Sequence, residues 1–380
     1  MSRAFCYLLL LLALGLLACN QKNNQEKHLN TPTLKSSIKY AQGFDIVDYG
    51  DYQLLKVYKP WTGAEKSFTY LLVNDLSLVP TNFIADAVIQ VPVNRLMVTS
   101  TTHIPALEML GSVESLVGFP GLSFISSTSV RQRISQGLVV DIGQNEAINT
   151  ELVIAHQPEV LVGFGVDGNN KTYIQLEQAG IPVIYNGDWT ETTPLGKAEW
   201  IKFFGVLLGK EKEADAWFEK ITSSYQEVQQ LAANVSTKPT VFSGAMWQDI
   251  WYLPHGNSWA SIFLKDAGGQ YLWADSEGIG SLALNLETVL DQAAQADFWI
   301  GPAQFTTYEQ LEKENGVYRQ FDAFKNRKVY TFSALQGETG GIIYYELAPS
   351  RPDLVLQDLV KILHPELVPD YELYFFRPLE

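Results

Sequence analysis

Two glutamates stand in near-identical surroundings, Glu151 in "NTELVIAHQPEVLVGF" and Glu287 in "NLETVLDQAAQADFWIG". Asn149 and Asn285 are good helix N-caps, so each carboxylate falls in a first helical turn, where the helix dipole favours it by about 0.3 to 1 kcal/mol. Capping by itself accounts for both. The five histidines, 28, 103, 156, 255 and 364, show no i, i+3 or i, i+4 pair and no H-E-x-x-H, which argues against a protein-held zinc. No G-x-S-x-G elbow occurs either, so nothing points strongly to an enzyme.

"GFGVDG", residues 163–168, matches G-x-G-x-x-G after a strand, with Asp188 about twenty residues on, as a dinucleotide site requires. The strand is not the first of its unit, and "NN" intervenes before the next helix, so a tight strand-end loop is the simpler reading. The alternative is a membrane-anchored, nucleotide-dependent enzyme that uses this loop. Aromatic density is higher still in "MWQDIWYLPHGNSW", which holds Trp247, Trp251, Tyr252 and Trp259. Trp259 fits an apolar helix pattern and the core, whereas Trp247 and Trp251 either plug the core or face a planar, bulky ligand. Arg131, Arg133 and Arg351 flank predicted strand ends, as solvated charges or as anion ligands.

The elements that would position these residues follow from periodicity. Residues 1–18 read as a signal peptide, since the apolar run "LLLLLALGLL" is too short to span a bilayer. "LLAC" then resembles a lipobox with Cys19 as the lipidated residue, and the polar stretch 19–37 reads as a flexible tether. Cys6 falls in the leader, which leaves the mature body no thiol for a disulfide, metal or nucleophile.

Segment 38–95 is strand-rich, and "AVIQVPVNRLMVTS" reads as a strand leading into a helix. From there strands without a polar face alternate with short helices, which predicts a parallel sheet covered on both sides. An N-terminal α/β lobe therefore spans 38–195. Residues 196–236 carry helical periodicity without proline, broken into two helices at Gly205 and Gly209, the second about 25 residues long. A second α/β lobe occupies 237–380. The fold class is thus α/β: two doubly wound lobes, one long bridging helix and a cleft between the lobes. A net charge of -15 excludes nucleic acid and anionic bilayers as main partners.

These landmarks in this order, from "NRLMVTSTTHIPALEMLGSVESLVGF" to "RPDLVLQDLVKILHPEL", resemble the substrate-binding lipoproteins of ABC importers for iron-siderophores, haem and cobalamin. The resemblance implies a monomeric periplasmic protein, membrane-anchored through lipid on Cys19, that binds rather than turns over its ligand and holds no cofactor. In that family a glutamate on each lobe meets arginines of the permease, and the matching positions are Glu151 and Glu287. By loop position the cleft would be lined by Thr101, Thr102, Phe119, Phe164, Asp167, Trp189, Trp247, Trp251 and the segment "ETGGIIYYE" with Tyr344. Arg131, Arg133 and Arg351 would suit an anionic siderophore or propionates. The long loop "GETGGIIYYELAPSR" and the strand-rich segment depart from the family pattern.

Overall fold

The computed structural model describes residues 36–380 except Glu146, Asn169 and Ile279. The expectations for the leader, for Cys19 and for most of the tether lie outside the described residues. Five parallel strands form the first lobe's sheet, in the spatial order Val183–Asn186, Val160–Phe164, Leu96–Val98, Leu116–Phe119 and Val140–Asp141. Leu96, Val98, Val160, Leu161 and Val162 are almost wholly excluded from solvent, because helices cover both faces and leave no wet side to demand polar residues. The chain works outward from Leu96–Val98 in one direction, then returns to Val160–Phe164 on its other flank. The loops leaving these two neighbours therefore part in opposite directions, and a crevice opens at their carboxyl ends.

The second lobe repeats the plan with Gln270–Tyr271, Thr240–Ser243, Phe298–Ile300 and Val329–Thr331 in parallel, and adds Arg377–Pro378 antiparallel at the edge. A three-stranded antiparallel sheet, Ala245–Trp247, Ile250–Pro254 and Ser281–Leu284, sits beside it. The tryptophan-rich segment, treated in the sequence as a loop, is thus a hairpin.

Between the lobes runs the 23-residue helix Glu211–Ala233. Its first half buries Ala214, Phe218 and Ile221 in the first lobe's core, and its second half buries Tyr225, Val228 and Ala232 in the other's. One rigid element is therefore a structural member of both cores. Gly209, at φ 63°, ends the preceding helix in a left-handed cap that an L side chain adopts poorly. Gly205 does not break that helix, contrary to expectation: it lies within Ile201–Leu208, and a Cβ there would come within 2.7 Å of the Ala214 Cβ. The glycine is needed for the helices to touch, not for the chain to turn.

The strand-rich segment forms its own sheet, in the order Phe44–Asp48, Tyr52–Val57, Phe68–Val73 and Ala87–Gln90. The run "AVIQVPVNRLMVTS" is not one strand, since the chain leaves this sheet after Gln90 and enters the parallel sheet at Leu96. Phe44, Val57, Tyr70 and Leu72 share a core with Val98, Trp200 and Phe203. Two buried carboxylates fasten its start: Glu199 accepts the backbone N–H groups of Lys39, Tyr40 and Ala41, and Glu191 those of Gln42 and Gly43. Such charge-assisted bonds offset the cost of burying the carboxylates.

Candidate functional site

The crevice at the first lobe's strand ends is stitched by one residue. Thr99 follows Leu96–Val98; its Oγ1 accepts the Phe164 N–H at 2.7 Å, and its carbonyl accepts the Asn145 Nδ2 at 2.9 Å. The Tyr173 hydroxyl, packed from below, donates to the Phe164 carbonyl at 3.0 Å, and burial pushes its pKa up to about 12. The three loops of the floor are thereby held in one arrangement, with Asn145 turned so that its Oδ1 has no hydrogen-bond partner.

Above this floor lies an open pocket of about 460 Å³. The first lobe contributes Thr99, Ser100 and Thr101, then Phe119, Pro120 and Phe124, then Gln144, Asn145 and Phe164. The second lobe contributes Gly341, Ile342, Tyr345 and Glu346. This second wall is a strap that crosses between the lobes. Glu346 accepts the N–H groups of Ser126 at 2.7 Å and Ser127 at 2.9 Å, at the start of the helix Thr128–Ser135. The Thr339 hydroxyl donates to the Ser123 carbonyl at 2.7 Å, and the Ser126 hydroxyl to the Gly341 carbonyl at 3.2 Å. A Cβ on Gly341 would lie 2.8 Å from that hydroxyl. Burial, reinforced by nearby Glu108, pushes the Glu346 carboxyl up to about 7, against the two N–H groups that favour its charge.

The structure brings Thr101, Phe119 and Phe164 together in this pocket. Trp189 stacks at a tilt against Phe164, with ring centroids 5.6 Å apart, as backing rather than lining. Thr102 turns its hydroxyl to Ser100. Expectations for five residues need correction. Trp251 is fully buried, donates its Nε1 to the Ser243 carbonyl and packs among Phe242, Trp299, Tyr318 and Phe321, so it plugs the core. Tyr344 stacks on Phe332 with centroids 4.2 Å apart, while its neighbour Tyr345 faces the pocket, because successive residues of the helix Ile343–Leu347 point about 100° apart. Neither Arg131 nor Arg351 reaches the pocket: Arg131 donates to the Leu122 carbonyl, and Arg351 makes a two-point pair with Asp353. Trp247 is exposed on the hairpin and is not part of the lining.

Glu151 and Glu287 are both exposed in first turns, capped by Asn149 Oδ1 on the Leu152 N–H and by Asn285 Oδ1 on the Thr288 N–H. In the "GFGVDG" loop, a Cβ on Gly165 or Gly168 would lie 3.2 or 3.1 Å from the Trp61 ring, so these glycines admit the indole of the strand-rich segment. Among the described residues no group of three metal-ligating side chains occurs. Sequence reasoning missed Asn145, and within the segment 338–346 that it placed at the cleft it singled out Tyr344 instead of Tyr345 and Glu346. The alternation across Ile250, Trp251, Tyr252 and Leu253, out, in, out, in, was readable as a strand and would have placed Trp251 inside.

The chain matches the family described as periplasmic binding protein over residues 96–334, more than half its length. It is 29% identical to an uncharacterized lipoprotein of Methanocaldococcus jannaschii, over 94% of this chain and 90% of that one. Among solved structures it is similar to a possible iron-binding, periplasmic solute-binding protein from Staphylococcus epidermidis. That likeness has a TM-score of 0.57 and 18% identity, and covers 72% of this chain and 99% of the other. An ABC transporter substrate-binding protein from Listeria monocytogenes is similar over 72% of this chain and 99% of its own, with a TM-score of 0.51 and 20% identity.

Proposed function

Because the chain belongs to the periplasmic binding protein family, we propose that it is the solute-binding component of an ABC importer that captures an iron-siderophore complex and delivers it to a permease. Haem or cobalamin in the same role is the alternative. The observation that carries this reading is the pocket itself, an aromatic and hydroxyl-lined space between one lobe's strand ends and a strap from the other. Phe119, Phe124, Phe164 and Tyr345 offer apolar faces to a chelate, while hydroxyls and amides fix its orientation. The helix shared by both cores resists large movements of one lobe against the other.

Delivery rests on Glu151 and Glu287, whose equivalent first-turn settings suit a two-point electrostatic register on a cationic permease surface. Export and anchoring through lipid on Cys19 are supported by the lipoprotein relative. Titration of the purified protein with ferric siderophores, haem and cobalamin, followed by intrinsic fluorescence, tests the reading. Saturable binding of one of them at micromolar or lower concentration supports it, and no binding by fluorescence or calorimetry removes it.

A further inference from the structure

Among the described residues, the wall of the cleft holds no lysine, arginine or histidine. The cations of both lobes that sequence reasoning aimed at the cleft are spent elsewhere. Arg131 ties down the Leu122 carbonyl, Arg133 those of Glu114 and Leu116, and Arg351 is paired with Asp353. Lys197 is buried on the carbonyls of Asp188 and Trp189, and His103 is wholly buried, its pKa lowered by burial to about 4 and its ring therefore neutral.

What the wall offers instead is one carboxylate, Glu346, among hydroxyl and amide side chains. The aromatic faces around it carry negative quadrupole density, which attracts cations and not anions. The overall charge of -15 adds a long-range field of the same sign.

We propose that the cleft selects a ligand without net negative charge, neutral or cationic, that presents an apolar body to the phenyl rings. This rests on the solute-binding reading and narrows its substrate class: polyanionic chelates are excluded by charge. A trianionic ligand would enter with no countercharge while facing Glu346, and the desolvation of its charges would go unreturned.

The test compares a neutral ferric tris-hydroxamate, a cationic tris-hydroxamate bearing a free amine and a trianionic ferric tris-catecholate. Each is titrated into the purified full-length protein at about pH 8, where Glu346 is ionised given its pKa near 7. The neutral or cationic chelate is expected to bind at least about tenfold tighter than the trianionic one. Thr101→Arg, which adds a cation to the wall, is expected to narrow or invert that ratio. Equal or tighter binding of the catecholate overturns the charge inference and leaves the importer reading intact, as does a ratio that Thr101→Arg fails to move. If these chelates, haem and cobalamin all fail to bind, the importer reading falls and the inference with it.

Discussion

Trp251 and Trp247 lie four positions apart, and the hairpin gives them opposite fates. Trp251 is enclosed by four aromatic rings and bonded through its indole N–H, so Trp251→Ala removes a large packed volume and orphans the Ser243 carbonyl. A loss of about 3 to 5 kcal/mol is expected by urea denaturation. Trp247 is 64% exposed, and Trp247→Ala should change stability by no more than about 0.5 kcal/mol. Glu346 makes the pH-dependent case. Its folded pKa is near 7 against an ordinary 4.5, so between those values the native state holds a proton that the unfolded chain has lost. Its contribution to stability is therefore fully present below the unfolded value and is lost as pH rises through about 7. Glu346→Gln should flatten that part of the profile, measured as urea midpoints at about pH 5 and pH 8. Identical slopes for both proteins would show that Glu346 does not titrate in this window.

At the scale of elements, two connections between the lobes differ in kind. The helix Glu211–Ala233 is held by side chains in both cores and cannot move without exposing them. The strap 336–346 is held by hydrogen bonds to the other lobe, two of them to the buried Glu346, and by Tyr344 packed on Phe332. Gly341 approaches Ser126 so closely that Gly341→Ala must displace either the Ser126 hydroxyl, with its bond to the Gly341 carbonyl, or the strap. The expected outcome is a loss of ligand affinity of about tenfold through faster release, with little change in thermal stability, read by stopped-flow displacement. A variant that loses stability and keeps its release rate would show that the strap is a structural brace and not part of the cleft's closure.

For the whole molecule, a body of net charge -15 carrying one exposed first-turn glutamate on each lobe presents two anionic points to a partner. Glu151→Lys with Glu287→Lys should slow association with the permease and reduce its dependence on salt, while ligand affinity in the free protein is unchanged. Surface plasmon resonance against permease in nanodiscs measures both; an unaltered on-rate would place docking elsewhere. Much of this organisation was legible in the chain. Period-2 and period-3.6 patterns, asparagine caps and repeated strand-helix units depend on near neighbours, and they sufficed for two α/β lobes and the long helix, while Thr101, Phe119 and Phe164 came from the family resemblance by loop position. Spacing alone could not decide which face of an element looks inward or which partner a charge would find. Trp251 was claimed by a core built from Phe242, Trp299 and Phe321, Tyr344 by Phe332, and the arginines by backbone carbonyls and Asp353, through contacts between residues distant in sequence. Local periodicity thus determined the elements and their order, while the sign of the cleft and the strap that closes it were decided only when tertiary packing brought Glu346 against Ser126 and left the pocket without a cation.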